Sequence, residues 1–97
     1  MAGNFRIVVH RNSDSLHLRL EGNFDGSSAQ QVLHMLGEKG CGAKRIFIHT
    51  NGIREIDPFG KAVFQKNLNA FKQNPIELIF TGDKGQEIAP SGHRLMA

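Results

Sequence analysis

The chain has no tryptophan and no tyrosine, only three prolines, and a single cysteine in 97 residues. One cysteine, Cys41, excludes an internal disulfide, and no apolar signal core follows a basic start. The expected setting is therefore the reducing cytoplasm. Long hydrophobic runs are also missing: the stretch from Ile76 to Phe80 is interrupted by Glu77. It falls far short of the ~20 residues needed to cross a bilayer, so membrane insertion is not expected. Charge of one sign is not concentrated either. The net charge is +3, but lysine and arginine are dispersed, with Lys44-Arg45 the one adjacent pair and Arg6, Arg11 and Arg19 spread around a hairpin. That is the pattern of a solvated surface, and a nucleic-acid partner is not expected.

What is present suits one small globular domain. Hydrophobic residues make up 39% and charged residues 22%, which excludes a chain disordered by composition. At this length a single core is expected over residues 1–97, with 83–97 as a candidate mobile tail. Phe5, Ile7 and Val9 alternate with Arg6 and His10, and Leu16, Leu18 and Leu20 alternate with His17, Arg19 and Glu21. Both are strand patterns with one wet face, and the polar Arg11-Asn12-Ser13-Asp14 between them turns the chain into an antiparallel hairpin.

From Ser27 to about Leu36 the period changes: Ala29, Val32, Leu33 and Leu36 share one helical face. Ser27 with Gln30, or Ser28 with Gln31, offers a capping box at its start, and Gly37, Gly40 and Gly42 are expected to stop it. Lys44 to Thr50 holds Ile46, Phe47 and Ile48 in succession, which predicts an interior strand covered on both faces. Asp57 as N-cap and Pro58 at the first helical position open a second helix running to about Lys72. On that helix Val63, Phe64, Asn67, Leu68 and Phe71 share the apolar face, and Phe59 falls at its edge, near Ala62 and Lys66. Asn74-Pro75 ends the helix, Ile76 to Thr81 supplies a last strand, and Gln86 to Ala89 begins a short helix that Pro90 and Gly92 curtail. The expected fold class is α/β, a mixed four-stranded sheet with helices packed mainly on one face and right-handed crossovers.

Motifs of catalysis are not evident. The stretch from Gly37 to Lys44 has the glycines of a phosphate-binding loop but leads from a helix into a strand, with Ala43 before the lysine, the wrong way round for cradling phosphate. The five histidines, His10, His17, His34, His49 and His93, lack the paired spacing of zinc ligands. His10 and His17 face each other across the hairpin, where a third ligand is missing. Cys41 has Lys39 nearby but no acid-base partner, and no serine sits in a nucleophile elbow. No enzyme, cofactor or metal is nominated.

Two segments carry a resemblance. Gly22, Asp25 and Ala29, within and after Glu21-Gly22-Asn23-Phe24-Asp25, and then Ile53, Ile56, Asp57 and Gly60, resemble the two signatures of the STAS domain family, which includes the anti-sigma factor antagonists. The similarity covers roughly Phe5 to Gly82. It implies a STAS-like single domain that works without catalysis by binding a protein partner, either an anti-sigma factor or kinase, or a transporter or signalling subunit. The family's Ser-Ser pair, whose second serine takes a phosphate, is Pro58-Phe59 here. A phenyl ring cannot accept phosphate, so the usual switch is absent, and the family's Asp-Leu-Ser at the preceding strand end is His49-Thr50-Asn51. Thr50, Ser27 and Ser28 are the nearby hydroxyls.

The resemblance thus implies a partner-binding surface made of Asp25, Gly26, Ser27, Asp57, Pro58, Phe59, Gly60 and Lys61. Asp57, Pro58 and Gly60 would set the backbone, Phe59 and Lys61 would make contact, and Asp25 would supply a polar anchor. Phe59 either meets the partner or folds back on Val63; both readings stand. Homo-oligomerisation through Phe59 or the hairpin is open. The alternative function is a STAS-like domain that holds a nucleotide or lipid-like ligand near the sheet edge.

Overall fold

The alternation in the first two strands sets the sheet. In the computed structural model, which describes residues 4–39, 42–68, 77–89 and 94–96, β1 (Arg6–Arg11) pairs antiparallel with β2 (Ser15–Phe24). Their turn is closed by the Asn12 amide, which donates to the Ser15 carbonyl at 2.9 Å. Leu16, Leu18 and Leu20 are fully buried, and the intervening His17 and Arg19 point to the opposite face, as a two-residue period requires. Register partners are joined across the hairpin by charge, with the Arg6 guanidinium 2.7 Å from Glu21.

The chain continues through α1 (Gly26–Lys39), β3 (Arg45–Ile56), α2 (Pro58–Leu68), β4 (Glu77–Thr81), α3 (Gly85–Ile88) and β5 (Arg94–Met96). The pairs β2 with β3, β3 with β4 and β4 with β5 are parallel, giving one mixed sheet in the order β1-β2-β3-β4-β5. The expected fold class holds. The four anticipated strands are β1 to β4, and a fifth of three residues adds to the edge beside β4. This strand and α3 occupy the segment read from sequence as a tail.

One core fills the helix side of the sheet. Leu16, Leu18, Leu20, Ile46, Ile48 and Phe80 from the strands meet Ala29, Val32, Leu36, Phe64, Leu68 and Ile88 from the helices, all 0 to 1% exposed. Four phenylalanines cross this layer edge to face, Phe5 on Phe24, Phe24 on Phe64 and Phe64 on Phe80, with centroids 5.5 to 6.1 Å apart. That geometry suits the ring quadrupole. Among the described residues, no helix is long and apolar enough to cross a membrane.

Several local readings are corrected. The N-cap of α1 is Asp25, not a serine: its Oδ1 accepts from the Ser28 amide at 2.9 Å and the Ser28 hydroxyl at 3.0 Å. Gly37 does not stop α1, which runs on to Lys39. β3 extends six residues past Thr50 because Asn51 to Ile56 keep pairing with β2 through two register shifts. Phe47 is only half-buried, because the face opposite the helices is open and the His17 ring stacks on it at 4.6 Å. Asn67 is exposed, its amide donating to the Val63 carbonyl at 2.8 Å within α2. Cys41, Phe71, Lys72, Asn74-Pro75, Pro90, Gly92 and His93 lie outside the described residues.

Candidate functional site

The starts of α1 and α2 converge because one glycine in each has no side chain. Gly60 is buried, and a Cβ there would lie 2.5 to 2.7 Å from the backbone carbon, oxygen and Cα of Asp25. Only glycine permits that approach, so α2 begins against the loop that caps α1. Conversely, a Cβ on Gly26 would lie 2.8 and 2.9 Å from Cε2 and Cδ2 of Phe59. The phenyl ring therefore rests over the first residue of α1 instead of folding into the core beside Val63. It remains 68% exposed.

Capping holds the rest in place. The Asp57 amide donates to the Phe24 carbonyl at 2.9 Å, which ties the end of β3 to the end of β2. The Asp57 carbonyl in turn accepts from the Lys61 amide at 3.0 Å, opening α2. Asp57 Oδ1 lies 3.4 Å from the Phe59 amide, the contact expected of an N-cap side chain. Pro58 occupies the first helical position, where no amide hydrogen is needed. On the α1 side the Asp25 carbonyl accepts from Ala29 at 2.9 Å, and the Ser28 hydroxyl also donates to the Asn23 carbonyl at 2.7 Å. The Ser28 amide holds the Asp25 carboxyl below the usual carboxylate range, with its hydroxyl adding to the effect.

The structure thus brings all eight sequence-nominated residues together at two helix starts. Ser27, Asp57, Pro58, Phe59 and Lys61 are exposed, Asp25 and Gly26 half-buried, and Gly60 buried. Of the nearby hydroxyls, Thr50 and Ser28 are fully buried. The Thr50 hydroxyl donates to the Thr81 carbonyl at 2.6 Å, leaving Ser27 as the exposed one of the three.

No protein-family model and no curated protein matches the chain by sequence. Solved structures do match it in shape. SpoIIAA, an anti-sigma factor antagonist in its unphosphorylated form, aligns with a TM-score of 0.65 at 13% identity, over 96% of this chain and 87% of its own. A serine-to-glutamate variant of RsbS from Moorella thermoacetica gives 0.66 at 17%, over 94% and 86%. The chain has the STAS fold. A third structure, Mglu, gives 0.67 at 17% identity over 89% of this chain, which spans only 20% of Mglu's length. The STAS fold of this chain therefore aligns both with most of a small protein and with a fraction of a larger one.

A second cluster, which the sequence reading did not assemble, lies on the open face of the sheet. His17 Nδ1 and His49 Nε2 are 3.0 Å apart, and His49 Nδ1 is 2.7 Å from the Thr81 hydroxyl. The two imidazoles lie nearly parallel, with centroids 5.2 Å apart. His10 meets His17 edge to face at 6.2 Å, so the expected hairpin pair exists, but the closer partner of His17 is on β3. Burial lowers the His49 pKa, and the neighbouring His17 and Arg19 charges lower it further. Among the described residues, no group of three or more His, Cys, Asp or Glu is placed to hold a metal ion. The signal available in sequence was the shared wet-face parity of His17 and His49; the parallel register that joins them was not.

Proposed function

We propose that this domain is a non-catalytic protein-interaction module of the anti-sigma factor antagonist type, acting without a phosphorylated serine at the start of α2. The observation that carries the reading is the 68% exposed ring of Phe59, at the position where the family it resembles bears a hydroxyl. An aromatic side chain fixed over Gly26 presents large apolar area with little rotamer freedom to lose, which is what binding hot spots require. Lys61 and Ser27 supply the polar rim. Asp25, Asp57, Pro58, Gly26 and Gly60 hold the two helix starts in register beneath it. The partner is a protein of the anti-sigma factor or kinase type, or the remaining part of a signalling or transport assembly, and the setting is the cytoplasm.

Without a phosphate to add about −1.5 to −2 charges at the helix start, binding is constitutive and set by the abundance of the partner. The test is co-purification from native cells of the wild-type domain beside Phe59→Asp and Lys61→Ala. The reading predicts a protein held by the wild type and lost from Phe59→Asp while the fold is retained. An identical set of bound proteins for the wild type and Phe59→Asp contradicts it.

A further inference from the structure

The face of the sheet opposite the helices carries a concentration of cationic and ionisable groups that the Phe59 surface does not use. A depression of about 420 Å³ is lined by Val8, His10, Asn12, His17, Arg19 and His49. A second, of about 450 Å³, shares Arg19 and His49 and continues over Glu21, Asn51 and Gly52. Arg19 and His49 are register partners on β2 and β3, so the two depressions meet at that pair. Their size suits a small molecule.

The ionisable groups around this point come from β1, β2 and β3, with β4 beside them. β1 contributes His10 and Arg6, and β2 contributes His17, Arg19 and Glu21. β3 contributes His49, with Arg54 beside Arg6 and Glu21 at the adjoining end of the face. From β4, Thr81 meets His49, and Glu77 is paired with Arg45 at 3.4 Å. Glu21 is held by Arg6 at 2.7 Å and reaches Arg19 only at 3.7 Å. Among the described residues, no ion pair joins a carboxylate to His10, His17 or His49. Imidazoles and a guanidinium gathered with so little acidic compensation make a place where negative charge is favoured.

We propose that the open face binds a tetrahedral oxyanion of the phosphate type, with Arg19 as its fixed charge and the hydrogen-bonded His17 and His49 as a proton-dependent one. Two imidazoles at 3.0 Å keep their hydrogen bond while one of them remains an acceptor. One added proton can sit on an outer ring nitrogen with that contact intact, whereas a second breaks it. An anion beside it offsets the repulsion from Arg19 and favours the first protonation. By linkage, acidification strengthens anion binding by the same factor. Val8, 40% exposed, gives the first depression an apolar border for the organic part of a phosphomonoester.

The experiment uses the protein with labelled histidine rings and follows them by NMR from pH 8 to 5.5. Sulfate, whose charge is constant over this range, is added against chloride at fixed ionic strength. The proposal predicts saturable shifts of His17 and His49, no shift of the distant His34, and binding several-fold tighter at pH 6 than at pH 8. Arg19→Gln, an exposed change that leaves the core untouched, weakens binding roughly tenfold or more. Phenyl phosphate in place of sulfate separates the sources. Tighter binding identifies a phosphomonoester on an organic body, and equal binding identifies a free oxyanion. Sulfate that moves His17 and His49 no more than His34, or Arg19→Gln with wild-type affinity, overturns the proposal.

Discussion

The ring of Phe59 lies over Gly26 with no room between them for a side chain, since a Cβ at Gly26 would come within 2.8 Å of the ring. Gly26→Ala therefore tilts the ring without touching the core. The expected result is a stability change within about 1 kcal/mol by urea denaturation, with affinity for the partner reduced several-fold by titration calorimetry.

Gly60→Ala is the contrasting case. Its added methyl meets the backbone of Asp25 at 2.5 to 2.7 Å, and backbone cannot swing aside as a ring can. Overpacking of this kind costs about 1 to 3 kcal/mol. A lower urea midpoint with an unchanged m-value is expected, and wild-type stability in this variant would contradict the described approach of the two helices.

Truncating Phe59 separates binding from folding. The exposed ring adds little to the fold, so Phe59→Ala leaves stability within about 0.5 kcal/mol. Loss of a buried aromatic anchor costs about 2 kcal/mol of binding, roughly thirtyfold in affinity. Thermal melting and partner titration on the same sample check both halves.

Asp25 links capping to pH. Its carboxyl is held below the usual range by the Ser28 amide, so its contribution is present above the unfolded value near 3.9 and lost as pH falls through the folded value. Asp25→Ala is expected to cost about 1 kcal/mol at neutral pH, the usual worth of an N-cap. The gap from wild type closes in acid below the folded value, which denaturation curves across pH 7 to 2 will show.

His49 has the same sign for a different reason. Burial, then His17, then Arg19 disfavour its charged form, so the unfolded chain takes the proton first. Its contribution is full above about pH 6.5 and declines as pH falls through the lower folded value. Between pH 7 and 5 the wild type loses stability that His49→Gln retains, and equal slopes for the two would rule out the described surroundings of His49.

Local chemistry made part of the molecule legible in its sequence. Asp57-Pro58 marks the start of α2 because both residues act through their own backbone, and alternation in Phe5 to Glu21 gives the hairpin. The second half of β3 was hidden, since Asn51-Gly52 has the composition of a turn and Arg54-Glu55 is polar. The strand continues there because of pairing with β2, a contact between distant segments. Phe47 suggested cover on both faces, where a histidine from another strand stacks on it instead. Gly26 and Gly60 were placed by resemblance, but what they accommodate depends on how two helices meet. The His17 to His49 contact spans 32 residues and needed the parallel register to be seen.

The most direct measurement is photocrosslinking in native cells, with a photoreactive phenylalanine analogue installed at Phe59 and, as control, at exposed His34 on α1. A discrete crosslinked protein from position 59, absent from position 34, is the result predicted for a surface built around that ring. Crosslinks that are the same from both positions, or none from position 59, would contradict it.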